Sequence, residues 1–84
     1  MAISIAPDIA EADYPAFRAI LDAEIPATYQ EWLSLKAAHD DEKLKASFEV
    51  KSVRVGPEEF KAYCDDIMRH PDRRALWDFA EMKR

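Results

Sequence analysis

Cys64 and the two histidines, His39 and His70, are the side chains of this chain best suited to covalent or acid–base chemistry. A thiolate nucleophile needs a lowered pKa and a base within hydrogen-bond reach. Cys64 instead falls inside the apolar series Phe60, Tyr63, Cys64, Ile67 and Met68, spaced i, i+3, i+4, i+7 and i+8. A small thiol in such a stripe packs as a hydrophobe, and the spacing places neither histidine against it. His39-Asp40-Asp41-Glu42 and the group Asp65, Asp66 and His70 contain metal-ligand types. Neither cluster has a recognised metal spacing: His39-Asp40-Asp41, consecutive on a helix, point in different directions and cannot converge on one ion, and Asp65 with Arg69 reads as an ordinary i, i+4 surface ion pair. With a single Gly in the chain, Gly-rich phosphate loops and nucleophile elbows are excluded. The sequence therefore assigns no catalytic, metal or cofactor-binding residue and implies no cofactor.

Aromatic residues are the remaining candidates for a site. Trp32, Tyr63, His70 and Trp77 would line a pocket if their helices packed side by side, with rings available for stacking. The competing reading is that aromatics at helical spacing are consumed by the core, and in a chain of 84 residues the core needs them.

The elements that must position these residues follow from local signals. Asp13, Pro15 and the apolar series Tyr14, Phe17, Ile20 and Leu21 predict a short first helix. Pro26 predicts the start of a second, with Tyr29, Trp32, Leu33 and Lys36 on one stripe and an end near Leu44. Residues 47–55 read as a strand in which Phe48 and Val50 share one face and Val53 and Val55 the other. That change of parity implies either a bulge at Lys51-Ser52 or burial on opposite faces at the two ends. Gly56-Pro57 turns into a third helix, His70-Pro71 ends it, and Asp72 caps a fourth carrying Leu76, Phe79 and Ala80 on one face with Trp77 beside it. Residues 1–12 read as an N-terminal arm with little fixed structure.

The expected fold is thus α+β and mainly helical, a single domain over residues 1–84 with the order α-α-β-α-α. One main strand has unpaired edges. The chain supplies at most one weak second strand, at residues 2–6, so a second copy is expected to pair with residues 47–55 across a two-fold axis. Phe48, Val50 and Ser52 are the expected interface residues.

Twelve basic against 17 acidic residues give a net charge of −5, which argues against a nonspecific phosphate-binding surface and hence against nucleic acid as partner. The exception is a local basic bias at Arg69, His70, Arg73, Arg74, Lys83 and Arg84. One cysteine permits no internal disulfide, so a reducing cytoplasm is the expected location. No signal peptide and no run of about 18 apolar residues is present, which argues against a membrane span. These readings converge on a small acidic protein that acts as a homodimeric, noncatalytic interaction or regulatory module with a protein partner. The alternative is a small ligand-binding or enzymatic subunit built on the aromatic pocket.

Overall fold

A computed structural model describes residues 2–83. The elements run β1 (Ile3–Asp8), α1 (Tyr14–Leu21), α2 (Tyr29–Lys45), β2 (Glu49–Arg54), α3 (Pro57–Asp66) and α4 (Arg73–Lys83), with 3-10 turns on both sides of α1. The mainly helical α+β class is as the sequence indicates, and a two-stranded sheet stands where one strand was expected.

That sheet corrects two expectations. Residues 3–8 are not part of a loose arm: they pair in parallel with β2, from Ile3 opposite Glu49 to Asp8 opposite Arg54. Ile5, Ala6 and Ile9 are buried there, and this apolar content fixes a segment whose short alternation is ambiguous in the sequence. The order becomes β-α-α-β-α-α, and β2 finds its first partner within its own chain. The bulge at Lys51-Ser52 does not occur either, since each residue of β2 faces one residue of β1. The parity change means burial on opposite faces. At one end Phe48 lies against α2, with the Lys43 ammonium 5.2 Å from its ring. At the other, Val53 and Val55 join the main core.

The ladder also shows which strand edge is open. Ala2 accepts from the Glu49 N–H at 2.9 Å and Asp8 from the Val55 N–H at 3.0 Å. In a parallel pair this directs the backbone of Ser4 and Ala6 toward β2, and that of Ile3, Ile5 and Pro7 away from it. Pro7, which has no N–H, therefore falls on the far edge of β1, where it blocks pairing by a further strand. On β2, Val50, Ser52 and Arg54 present their backbone groups outward.

Helix starts are set by capping. Thr28, rather than Pro26, starts α2: its hydroxyl oxygen accepts from the Glu31 N–H at 3.1 Å and donates to Glu31 Oε1 at 2.9 Å. At α4, Asp72 accepts from the Ala75 N–H at 2.7 Å, as its position predicts. Helix ends are less orthodox. At α3, the Met68 N–H reaches Asp65 and the Arg69 N–H reaches Cys64, at 3.2 and 2.8 Å. At α2, Ser47 and Phe48 bond back to Leu44 and Lys43 at 3.0 and 2.9 Å in the same pattern. Both are Schellman closures, which call for a left-handed residue that is usually Gly. Here the positions hold Ser47 (φ 67°) and Met68 (φ 53°), while Gly56 sits at φ −108°, where any residue fits.

The early end of α3 shortens its apolar stripe. Phe60 and Cys64 are fully buried, whereas Ile67 is half exposed and Met68 is 94% exposed. The core gathers Phe17, Trp32, Phe60, Leu76 and Phe79 with Ile9 and Val55. Most of α2 stays outside it, with Trp32 its one buried residue and Leu33 and Leu44 exposed.

Candidate functional site

Because α2 buries only Trp32, the space between its inner face and α4 is not closed by side chains. Leu35 and His39 of α2 and Arg73, Arg74 and Trp77 of α4 line an open groove of about 400 Å³. Trp32, Leu35 and His39 recur at i, i+3 and i+7, and Trp77 follows Arg73 and Arg74 by four and three, so each set shares one helix face. His39 and Trp77 also border a second hollow of about 260 Å³ toward Lys43, Phe48 and the start of β1.

Three rings form a row beneath the groove. Trp32 meets Trp77 edge-on at 5.6 Å between centroids, and Trp77 meets His39 edge-on at 5.3 Å. Trp32 is fully buried, and Trp77 and His39 are half-buried. Along this row lie the described buried side-chain polar atoms without a hydrogen bond: Trp32 Nε1, Trp77 Nε1, His39 Nδ1 and Asp40 Oδ1. His39 Nδ1 is 3.6 Å from Asp40 Oδ1, too far for a hydrogen bond. Buried polar atoms ordinarily carry a hydrogen bond, so four of them along one row single it out.

Charge around the groove is uneven. Arg18 donates to the carbonyls of Asp22 and Ile25, Arg54 to Asp8 at 2.8 Å and Arg69 to Asp78 at 2.7 Å. The guanidinium groups of Arg73 and Arg74 have no partner among the described residues; Glu24 takes only the Arg73 backbone N–H, at 3.2 Å. The amides at the start of α4 are thus engaged by Glu24 and Asp72, and the positive character of the groove comes from side chains.

Of the four aromatic-pocket residues expected from the sequence, the structure brings Trp32 and Trp77 together and separates the others. Tyr63 packs on Phe79 at 5.0 Å, and Phe79 lies two residues from Trp77, on the opposite side of α4. His70 is exposed beyond the end of α3. Sequence reasoning missed His39, Leu35 and the Arg73-Arg74 pair as neighbours of Trp77. The helical spacing within α2 carried the signal, but a buried helix and a groove wall have the same periodicity.

Cys64 is fully buried, and burial pushes its thiol pKa up, which disfavours the thiolate. No three His, Cys, Asp or Glu side chains among the described residues converge in a way that could hold a metal ion. The expected Asp65–Arg69 pair is replaced: Arg69 lies past the helix end and turns to Asp72 and Asp78. Of the expected interface residues, Phe48 and Val50 are half-buried and Ser52 is exposed, its hydroxyl taking a 2.9 Å bond from Lys36. No described helix is long and apolar enough to cross a membrane. No family model, curated protein or solved structure matches the chain.

Proposed function

We propose that this protein is a noncatalytic interaction module of the cytoplasm that acts as a homodimer joined through the outer edge of β2. The observation that carries the reading is the asymmetry of the two sheet edges. The far edge of β1 contains Pro7, whereas Val50 and Ser52 turn their backbone groups outward on β2. The intramolecular ladder removes the need for a second copy to satisfy the inner edge, so the dimer uses the other one.

Three antiparallel two-fold registers align these outward groups. Centring on Lys51 sets two lysines face to face, which is unfavourable. Centring on Ser52 brings in Arg54, whose carbonyl already accepts from Lys83 at 2.7 Å. Centring on Val50 pairs Val50 with its copy and sets Glu49 against Lys51 twice over; Phe48 falls opposite Ser52 of the other protomer and offers only its carbonyl there, because its N–H is already given to Lys43 at 2.9 Å. This register alone has opposite charges directly across the interface, and it buries the three expected residues Phe48, Val50 and Ser52. A dimer of this kind presents two copies of its outer helical surfaces to a protein partner.

The test is a charge exchange read by analytical ultracentrifugation. Glu49 and Lys51 are exposed, so substitution leaves the fold intact. Glu49→Lys and Lys51→Glu should each weaken association at least tenfold, and the double exchange should restore it. A monomer at high micromolar concentration for the unmodified chain, or single variants that associate as it does, would refute the reading.

A further inference from the structure

We propose that the α2–α4 groove is a binding site for a small aromatic carboxylate. No β2 residue lines it, so the inference stands apart from the dimer and the two can fail separately. Three independent observations point to such a ligand.

The first is shape. A volume of about 400 Å³ lies within the range of small-molecule sites, roughly 300–1,000 Å³, and is too small for a folded segment of a partner. The second is the ring row. Trp32, Trp77 and His39 stand edge to face in succession, and Trp77 is half-buried with part of its indole on the groove. A flat ring in the groove extends that herringbone, the arrangement aromatic quadrupoles favour, with Leu35 closing against it.

The third is charge. In a chain of net charge −5, Arg73 and Arg74 hold guanidinium groups that nothing described neutralises, on the same rim as Trp77. Arginine presents a planar fork of donors that matches a carboxylate with two parallel hydrogen bonds. His39, which shares the lining of the groove, adds an imidazole nitrogen as a further donor or acceptor. A carboxylate is favoured over a phosphate ester because the lining is predominantly apolar and offers no cluster of backbone amides for additional oxygens.

The test uses indole-3-acetate as probe and indole-3-acetamide as its neutral counterpart, followed by two-dimensional NMR on the full chain. The acid should shift the Trp77 indole, His39 and Leu35 resonances saturably, and the amide should bind at least tenfold more weakly. Arg73→Gln/Arg74→Gln alters exposed side chains only and should weaken the acid at least tenfold while leaving the amide and the unfolding midpoint unchanged. Equal affinity for acid and amide, shifts confined to residues outside the groove, or undiminished binding by the double variant would overturn the proposal. So would saturable binding at the groove of an acidic peptide, such as acetyl-Asp-Glu-Asp-Glu-amide, in place of indole-3-acetate.

Discussion

Replacing Met68 with glycine should make this protein more stable, although it removes the larger side chain. Met68 occupies the left-handed position that closes α3, at φ 53°, and 94% of it is exposed. Its side chain therefore contributes almost no packing. A left-handed conformation costs a residue with a Cβ about 1–2 kcal/mol, which glycine avoids. Glycine has more freedom in the unfolded chain, which returns about 0.4–1 kcal/mol in the opposite direction. The net gain is about 0.5–1 kcal/mol, and for a domain of this size it raises the melting temperature by about 2–8 °C. Thermal and urea unfolding, followed by circular dichroism and tryptophan fluorescence, measure it directly. Met68→Ala is the control: it removes the same exposed side chain but keeps the backbone cost, so it should fall within about 0.5 kcal/mol of the unmodified chain. A Met68→Gly variant no more stable than Met68→Ala would refute the reasoning.

Further outcomes follow from the same geometry. Ser47→Gly, at the equivalent position after α2, should be stabilising by a similar amount in the same unfolding measurements. At the start of α3, Glu59 accepts the Gly56 N–H at 2.7 Å, but Gly56 has no side chain to reciprocate. Gly56→Ser should complete the capping box and add about 0.3 kcal/mol, a few tenths being the usual difference between Gly and Ser at this position, and a lowered urea midpoint would count against it. The hydrogen bond from Lys83 holds the Glu59 carboxyl pKa below its ordinary value, with the Gly56 N–H acting in the same direction. Because the folded pKa is the lower one, this stabilisation is present above the unfolded value of about 4.3 and is lost as pH falls through the folded value. Glu59→Gln should therefore cost up to about 1 kcal/mol near neutrality, the carboxylate being partly exposed, and progressively less in acid. Cys64, buried with a raised pKa, should react with a thiol reagent only as fast as the chain opens, so labelling and unfolding should share one urea dependence.

The helical class, the strand at residues 49–54, the Asp72 cap and the core face of α4 were all legible, because each rests on a local signal of type and spacing. Residues 3–8 were not, since a six-residue strand that contains Pro7 looks like an arm until its partner is known. Its proline is tolerated only because that position faces away from β2, a property of register and not of sequence. The turns at Ser47 and Met68 were hidden for another reason: the glycine that usually marks a left-handed position is absent from both. The extension of the apolar stripe to Ile67 and Met68 failed at that same turn. Of the expected aromatic set only Trp77 lines the groove, with Trp32 buried behind it, and the association of Trp77 with Leu35, His39 and Arg73-Arg74 depends on how α2 and α4 cross. Tyr63 and His70 were misplaced as neighbours of Trp77, because Tyr63 packs on the opposite side of α4 and His70 lies beyond the early end of α3.

Hydrogen exchange at two amides tests the assembly most directly. The N–H groups of Val50 and Ser52 point away from β1, so nothing within one protomer's ladder protects them. Their exchange should be slow at high protein concentration and should accelerate on dilution through the dissociation range, while the amides of Lys51 and Val53, bonded to β1, stay protected throughout. Rapid exchange at Val50 and Ser52 at every concentration would contradict pairing through this edge.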